Sequence, residues 1–581
     1  MPTVASAPRR CLAATVSALA AACLAAAPAR AAEQQAYAAA LNYATPAVIA
    51  GQGDTLRFTN LDAAAEHDVD SDEAGRFESP LVGGGESTLV TGVETLPPGS
   101  YGFHCSLHSW MTGTLTIAAA GGPGTPPPPG GGGGGGGGPD PLTLAPRAPA
   151  EPLGDGGWPV YGRDLANSRD AREHGPSYNE ALRLGPVWSH QSPDGDYTGT
   201  PVIAGGRLVI GSRGGTVVAL NPRTGRVRWE RDLILDANED DRRISASAAI
   251  RGRRVFVPVN AVGRPTVVAL SLRTGRRLWR RVIDRQERSD AYGSPQVWRG
   301  RVFMGTSGYY GEQVTGVEVS ARGSVVAVDA RTGERLWKTY TVPGGHDGGA
   351  VWSTPAIEPK RHRLYVGTGN AYHAPAAATT DSMLVLNARS GHLLRHFQAT
   401  AGDVWNGAED SLESPDADFG ASPNLFTLPD GRKAVGQGQK SGLYWALDRR
   451  RMEPVWTAFT GPGSFQGGII GSTAFDESRI YGPNTLSGQI WALERDGGSS
   501  WTSSDATPLR FGAVATANGV VYATDTGGFL TAREASTGIV LAKLPLGAPS
   551  WAGVAIAGGS VFTATGTASG SGYVVAYRPR P

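Results

Sequence analysis

Cysteine is nearly absent from this chain. Its 581 residues include three, and two of them, Cys11 and Cys23, lie in an apolar N-terminal stretch. Neither sign of charge is in excess, since 53 basic residues stand against 52 acidic ones, so the overall charge gives no general case for binding nucleic acid or an anionic membrane surface. No apolar run reaches the roughly 20 residues of a membrane-spanning helix. The length alone predicts at least two domains.

The N-terminus has the pattern of an export signal. Arg9 and Arg10 precede the apolar residues 12–27, and Ala29-Arg30-Ala31 offers a small-x-small cleavage site. We expect residues 1–31 to be a signal peptide and the mature protein to be periplasmic or secreted. The arginine pair leaves both the general secretory and the twin-arginine route open.

Removal of that segment leaves one thiol, Cys105, in an oxidising compartment where it has no disulfide partner. Cys105, His108 and Met111 follow the spacing Cys-x2-His-x2-Met just before a predicted strand, and His67 lies upstream. A trigonal His2Cys set with a weak axial Met is typical of type 1 copper. We therefore predict a copper site; the alternative is a decayed site with a buried free thiol. His104 should face away from Cys105 on an extended strand.

Two further segments surround this motif. Residues 36–118 alternate apolar and polar positions, for example in Thr55–Asn60, and predict a small β-sandwich. Residues 119–157 include nine consecutive glycines and predict a disordered Gly/Pro-rich linker. A flexible tether of ~36 residues has a root-mean-square span of roughly 30 to 36 Å.

The remainder of the chain, residues 158–581, repeats. Apolar strands precede the segments Thr224-Gly-Arg-Val-Arg-Trp229, Thr274-Gly-Arg-Arg-Leu-Trp279 and Thr332-Gly-Glu-Arg-Leu-Trp337, and weaker copies follow. A period of roughly 40 to 60 residues with several strands per repeat is typical of β-propeller blades. The predicted fold is therefore all-β, with a sandwich, a linker and an eight-bladed propeller. We expect the segment at Trp158 to supply the strand that closes the ring, and Trp229, Trp279 and Trp337 to pack between blades.

The propeller repeats resemble those of quinoprotein dehydrogenases, and in particular the polyvinyl alcohol dehydrogenase branch. Residues 36–118 similarly resemble cupredoxins with amicyanin-like ligand spacing. The resemblance in the propeller rests on the stretches Gly349-Ala-Val-Trp-Ser-Thr-Pro, Tyr365-Val-Gly-Thr-Gly-Asn-Ala-Tyr, Asp418-Phe-Gly-Ala-Ser-Pro and Gly438-Gln-Lys-Ser-Gly-Leu-Tyr-Trp.

This resemblance implies roles for individual residues. Trp352 would stack on pyrroloquinoline quinone, and Lys440 would pair with the quinone oxygens. Asn370 would bind calcium, with Glu312 as the second ligand. Asp418 would be the catalytic base, with Asp416 as its alternative. One departure is that the propeller has no adjacent cysteine pair to cover the other face of the quinone.

The residue types suit these roles, although each has a plainer interpretation. Calcium prefers carboxylate and amide oxygens, and a carboxylate base needs reach and a suitable pKa. However, Asn370 also fits a turn, Asp418 fits a cap before a strand, and Lys440 fits a solvated loop. All of them lie in predicted loops on one face of the ring, which favours the cofactor interpretation.

The sequence thus predicts an exported dehydrogenase that oxidises an alcohol and passes electrons to its own copper domain, and then to an external carrier such as a cytochrome c. The main alternative is a non-enzymatic propeller scaffold of the assembly-factor kind, tethered to a copper electron carrier; a sugar or aldehyde dehydrogenase is a third possibility. The substrate (a polymeric or a secondary alcohol), calcium versus lanthanide, and the oligomeric state stay open.

Overall fold

The structure, a computed structural model, describes residues 33–39, 42–43, 47–60, 66–83, 86–118, 156–233, 243–308, 320–406, 414–465, 467–503, 509–567 and 571–580. Nearly all regular structure in these ranges is β-strand. Within the same ranges, no helix has the length and apolarity needed to cross a bilayer.

The N-terminal sandwich consists of two four-stranded sheets. Their strand orders are β2-β1-β4-β6 and β3-β8-β7-β5. The strands are β1 (Glu33–Ala39), β2 (Asn42–Tyr43), β3 (Ala47–Gly51), β4 (Thr55–Asn60), β5 (Asp70–Ser71), β6 (Ser87–Val90), β7 (Gly99–Cys105) and β8 (His108–Ala118), with a 3-10 helix at Val93–Thr95. Phe58, Phe103 and Leu115 are fully buried between the sheets. The hydrophobic alternation of these strands creates this core.

The rest of the described chain forms eight sheets. Sheets one to four contain β10 (Val202–Ala204), β11 (Arg207–Gly211), β12 (Thr216–Leu220) and β13 (Val227–Asp232); β14 (Ala249–Arg251), β15 (Arg254–Val259), β16 (Thr266–Ser271) and β17 (Arg277–Val282); β18 (Ser289–Asp290), β19 (Gln296–Trp298), β20 (Arg301–Gly308), β21 (Ser324–Asp329) and β22 (Arg335–Tyr340); and β23 (Ala356–Glu358), β24 (Arg363–Gly367), β25 (Ser382–Asn387) and β26 (Leu393–Gln398).

Sheets five to eight contain β27 (Asn424–Thr427), β28 (Lys433–Gly438), β29 (Leu443–Asp448) and β30 (Pro454–Phe459); β31 (Ala474–Phe475), β32 (Arg479–Pro483), β33 (Ile490–Glu494) and β34 (Ser499–Thr502); β35 (Ala515–Ala517), β36 (Val520–Thr524), β37 (Phe529–Glu534) and β38 (Val540–Pro545); and β39 (Ala555–Ala557), β40 (Ser560–Ala564), β41 (Tyr573–Pro579) and β9 (Leu184–Gln191). A 3-10 helix at Arg172–His174 and α1 (Tyr178–Ala181) precede β9.

These sheets form a closed ring, because the first strand of sheet one, β10, contacts the first strand of sheet eight, β39. The expectation that the Trp158 segment closes the ring is wrong. Instead, β9 pairs with β41 and becomes the outer strand of sheet eight. The physical reason lies in Trp188 of β9, which packs on Gly225 of the next sheet as the repeated tryptophans do.

The predicted packing of the repeated tryptophans between sheets is confirmed. The Trp229 ring covers Gly275 of the next sheet, whose φ is +68° and whose missing Cβ would lie 2.6 Å from that ring. Trp229 Nε1 also donates to the Leu272 carbonyl at 2.9 Å. Trp279 and Trp337 contact Gly333 and Gly391 in the same way. The Thr-Gly pair thus supplies a turn that only glycine accommodates and a flat seat for an indole ring.

Residues 158–171, here called the strap, run across the inner strands. Backbone carbonyls of Pro159, Leu165 and Ala166 accept from Ile250, Ile357 and Leu425, the second residues of three inner strands. The strap therefore passes from one inner strand to the next around the channel of the ring.

Candidate functional site

The copper motif is assembled at one end of the sandwich. Cys105 ends β7 and His108 begins β8, so the tight connection between them brings both side chains together. His67 is bridged to Val82 outside the named strands. Its Nδ1 lies 3.2 Å from His108 Nδ1 and 3.8 Å from Cys105 Sγ, and Cys105 Sγ lies 3.5 Å from His108 Nδ1.

These separations fit one bound ion. Metal–nitrogen and metal–sulfur bonds of roughly 2.0 to 2.3 Å in a near-trigonal arrangement require donor atoms about 3 to 4 Å apart. His67, Cys105 and Met111 are fully buried, whereas His108 is partly exposed. Among the described residues, His67, Cys105 and His108 are the one group of three or more histidine, cysteine, aspartate and glutamate side chains close enough to share a metal. The donor set suits copper.

Neighbouring polar groups fix the ligand loop. Asp68 is buried and accepts from the Ser106 backbone N–H at 2.7 Å, while the Ser106 hydroxyl donates to its other carboxylate oxygen at 2.5 Å. His104 lies outside the ligand group, as predicted, and its Nδ1 pairs with Asp72 at 2.9 Å.

The predicted propeller residues lie in loops on one face of the ring. Trp352 precedes β23, Asn370 follows β24, Asp416 and Asp418 precede β27, and Lys440 follows β28. Connections between second and third strands, and between sheets, share this face, which we call the loop face.

Four of these side chains form one network around Asp418. Its Oδ2 accepts from Trp352 Nε1 at 3.0 Å and lies 3.1 Å from Lys440 Nζ. Its Oδ1 accepts from the Asn370 backbone N–H at 2.9 Å. Lys440 Nζ also donates to both oxygens of Asp416 at 2.8 Å. Lys440 is 4% exposed, so the interpretation of it as a solvated loop residue is wrong.

Asn370 keeps one side-chain atom available to a cation. Its Nδ2 donates to the carbonyls of Ala371 and Trp405 at 2.7 and 2.6 Å. These bonds orient the amide and leave Oδ1, an oxygen of the kind that calcium prefers. The other predicted calcium ligand, Glu312, lies outside the described residues.

Sequence reasoning missed two buried carboxylates beside this network. Neither Asp381 nor Asp403 is more than 1% exposed, and both oxygens of Asp381 form no hydrogen bond within the described residues. Burial raises the pKa of Asp381 well above its usual value, and Asp403 adds to the shift. The sequence signal was an aspartate directly before the apolar strand β25, which is also an ordinary strand cap.

Burial and mutual charge shift the pKa values of this network. Burial raises the pKa of Asp416 well above its usual range, against the opposing effect of Lys440. Burial alone would lower the pKa of Lys440, but Asp416 and Asp418 outweigh it and hold that pKa above its ordinary value. With four buried carboxylates around one ammonium, the region favours an additional cation.

A cavity of about 550 Å³ lies on the axis of the ring, next to this network. One lining residue stands two positions before the inner strand of each sheet: Thr200, Ser247, Ser294, Thr354, Ser422, Ser472, Ala513 and Gly553. The cavity therefore opens toward the loop face, and Tyr161 of the strap also lines it.

The wall of this cavity fits a planar, anionic cofactor. Trp352 offers a flat apolar face, and the side chains of Arg213 and Arg243 supply positive charge. The hydroxyls of Thr200, Ser247 and Ser353 form no hydrogen bond within the described residues, so they can bind a polar ligand. Asp418, Lys440 and Asn370 do not line this cavity themselves, and the hydrogen bond from Trp352 to Asp418 connects their network to its wall.

Comparisons with known proteins agree with both halves of this picture. A family model described as outer membrane protein assembly factor BamB matches residues 185–458 and 321–578, and a cupredoxin-like domain model matches residues 13–117. A polyvinylalcohol dehydrogenase of Pseudomonas sp. is 30% identical over 484 residues, which are 71% of this chain and 74% of that protein. A second, from Sphingopyxis sp. (strain 113P3), is 28% identical over 480 residues, 71% of this chain and 73% of that protein.

Among solved structures, the quinohemoprotein alcohol dehydrogenase ADHIIG of Pseudomonas putida HK5 superposes with a TM-score of 0.63 at 20% identity, over 73% of this chain and 80% of that chain. At this identity the likeness shows the fold alone. The predicted all-β architecture, with a cupredoxin domain followed by a propeller, is confirmed.

Proposed function

We propose a reaction from the premise that the chain belongs to the pyrroloquinoline quinone-dependent alcohol dehydrogenase family of propeller proteins, which includes the polyvinyl alcohol dehydrogenases, and carries an N-terminal cupredoxin domain. The chain is an oxidoreductase that acts on an alcohol. Its full function, in this proposal, is that of an exported periplasmic or secreted dehydrogenase that passes the electrons to its own type 1 copper site.

The observation that carries this proposal is the network of Trp352, Asp418, Lys440 and Asn370 beside a cavity on the ring axis. A non-enzymatic scaffold has no use for a buried ammonium matched by two carboxylates, because such groups are costly to bury. The relatives named as alcohol dehydrogenases independently favour an enzyme over a scaffold.

In the proposed site, Trp352 binds the quinone through its exposed indole face. The indole is held at both ends, because Nε1 donates to Asp418 and Cη2 lies 2.0 Å from the position that a Cβ of Gly420 would take. Pyrroloquinoline quinone, when bound there, supplies the acceptor for the hydride of the alcohol.

Asp418 takes the hydroxyl proton of the substrate at Oδ2, the oxygen next to Trp352 and Lys440. Asp416 is the alternative base, but both of its oxygens bind Lys440 and it is 1% exposed. Lys440 balances the carboxylate charge of Asp416 and Asp418 and would pair with the quinone oxygens. Asn370 Oδ1, with Glu312, would hold calcium, which polarises a carbonyl oxygen.

The copper domain would hold its ion through His67, Cys105, His108 and Met111. The partly exposed His108 is the ligand that reaches the surface. Electrons would leave through it to an external carrier, such as a cytochrome c.

Addition of alcohol to protein loaded with copper, calcium and quinone tests both parts of this function. Alcohol should bleach the blue absorption of the wild type. Cys105→Ser should be colourless but keep dye-linked oxidation. Asp418→Asn should stay blue and lose dye-linked oxidation by at least about 100-fold, the usual contribution of a general base. His104→Ala, next to the ligand Cys105, is the control that should keep both colour and turnover.

Two outcomes would overturn different parts. Dye-linked turnover without bleaching in the wild type would remove the copper step. No turnover together with no quinone binding by calorimetry would remove the dehydrogenase reaction.

A further inference from the structure

The near-neutral total charge of the chain hides two parts of opposite sign. Residues 33–118 contain eleven carboxylates but only two arginines, Arg57 and Arg76, a formal net charge of −9 with histidines neutral. Among the residues of this copper domain whose exposure is described, the exposed carboxylates are Glu66, Asp72, Glu73, Glu78, Glu86 and Glu94. Overall neutrality therefore does not exclude an electrostatic partner within the chain itself.

The propeller carries the opposite charge. Residues 156–581 contain 47 basic and 38 acidic residues, a formal net charge of +9. Residues 207–340, which span most of sheets one to three, contain 25 basic and 13 acidic residues, a net charge of +12. The positive charge is thus concentrated in fewer than half of the sheets.

Most of the exposed arginines described within residues 207–340 lie on the face opposite to the loop face. Turns between the first and second strands, and between the third and fourth strands, share that turn face because the strands are antiparallel. Ten exposed arginines in or beside these turns form what we call the basic turn surface: Arg226, Arg228, Arg251, Arg253, Arg273, Arg276, Arg277, Arg299, Arg331 and Arg335.

Few carboxylates oppose these arginines. Asp329 and Glu334 are the acidic residues in the same turns, and Asp329 is occupied as an acceptor for the backbone N–H groups of Arg331 and Thr332. None of the ten arginines forms an ion pair with another described residue. The surface is therefore an uncompensated patch of positive charge.

The chain enters the propeller on this same face. A Cβ on Gly157 would lie 2.8 Å from the Ile203 carbonyl oxygen and 3.8 Å from the Cα of Ala204, the last residue before the turn that joins β10 to β11. A Cβ on Gly156 would meet His174, whose carbonyl accepts from Gly559 in the turn between β39 and β40. The linker predicted for residues 119–157 therefore reaches the propeller at the turn face.

We infer that the acidic copper domain docks on the basic turn surface of its own propeller, held by complementary charge and returned by the tether. A tether of ~36 residues keeps the two partners at roughly millimolar effective concentration, so a weak, rapidly reversible contact suffices. The inference rests on the proposed function only in giving this docked state a role in electron transfer. The contact itself needs neither quinone nor substrate.

Small-angle X-ray scattering of the copper-loaded full chain measures this docking. At about 10 mM salt the Debye length is about 30 Å, and at about 1 M it is about 3 Å. The radius of gyration of the wild type should therefore increase by several ångströms from low to high salt. The triple variant Arg273→Glu, Arg276→Glu, Arg277→Glu should have the larger radius at both salt concentrations.

A matched triple variant on the other face controls for net charge. Arg264, Arg285 and Arg288 are equally exposed but belong to connections on the loop face. Their replacement by glutamate changes total charge equally and should leave the salt-dependent expansion in place. The inference is overturned by a wild-type radius that does not change with salt, by a turn-face variant that behaves like the wild type, or by a control variant that already has the larger radius at low salt.

The two proposals fail separately. Docking that is absent while alcohol still bleaches the copper would remove only this inference. If docking persists in protein that has no dye-linked turnover, the docking surface stands and the proposed dehydrogenase reaction is refuted.

Discussion

Replacement of Lys440 by methionine is the sharpest test of the propeller network. The ammonium lies 2.8 Å from both oxygens of Asp416 and 3.1 Å from Asp418 Oδ2, and the Lys440 side chain is 5% exposed. Methionine fills nearly the same volume without charge. Two buried carboxylates then lose their common cation, which is far more costly than the loss of a surface ion pair.

The expected size of the effect follows from this burial. Removing one partner of a buried ion pair costs about 3 to 5 kcal/mol. The entropy of unfolding is about 2.1 cal/mol/K per residue, or about 0.8 kcal/mol/K for a propeller of about 400 residues, so each kcal/mol lowers Tm by about 1.2 °C. Lys440→Met should therefore melt about 4 to 6 °C below the wild type near pH 7 by calorimetry.

The loss should shrink as the pH falls. Burial already raises the pKa of Asp416 in the presence of Lys440, and removal of the ammonium raises it further. Protonation then relieves the unpaired charge. The double variant Lys440→Met, Asp416→Asn should recover part of the lost stability at neutral pH.

Lys338→Met is the matched control. Lys338 Nζ lies 2.6 Å from one carboxylate, Asp284, and its side chain is 11% exposed. Asp284 retains hydrogen bonds from the backbone N–H groups of Arg285 and Gln286, so this variant should lose less stability. A Lys440→Met protein that melts within 1 °C of the wild type would refute the assignment of Lys440 as the counter-ion of the network.

Two further predictions concern other buried aspartates. Asp290→Asn should raise the free energy of unfolding near pH 7 by up to about 3 kcal/mol, because burial raises the pKa of Asp290 to about 6 from an unfolded value of about 3.9. A carboxyl group with a raised pKa lowers the stability of the folded state as the pH rises from about 4 through 6. Denaturant titrations should therefore show that Asp290→Asn is more stable than the wild type near pH 7 but not near pH 4. A stability gain that persists at pH 4 would contradict the raised pKa of Asp290 as its cause. Asp68→Ala should weaken copper binding by about 10- to 100-fold, the usual effect of losing a group that orients a ligand, as measured by competition with a chelator. Asp68→Asn keeps one acceptor for Ser106 and should lose less; equal affinities in all three proteins would show that Ser106 needs no anchor.

Local sequence signals predicted much of the fold and the copper site. Cys105, His108 and Met111 lie within seven residues of one another, so their proximity follows from a single strand connection. Trp229, Trp279 and Trp337 were recognisable because each stands at a fixed distance from its Thr-Gly turn.

Residues whose roles depend on distant contacts were harder to predict. Asp381 and Asp403 have no spacing that marks them, and their unusual burial arises only when their loops converge around Lys440. The ring-closing strand was missed because Trp188 lacks a preceding Thr-Gly turn of its own. Its partner strand, β41, lies almost 400 residues away along the chain.

The strap has a consequence for how this protein can be rearranged. Its bonds reach Ile203 of sheet one at one end and Thr516 of sheet seven at the other, so a short stretch of chain contacts nearly the whole series of sheets. Deletion of the chain up to and including Ala171 would remove the strap. The backbone amides of Ile250, Ile357, Leu425 and Phe475 would then lose their acceptors inside the channel, where each unmade hydrogen bond costs about 1 to 3 kcal/mol. A different electron-carrying module can therefore replace the residues ahead of Gly156 without breaking these bonds. The copper domain can thus be exchanged with the strap intact, whereas circular permutation at a site within the strap would break its bonds to the inner strands.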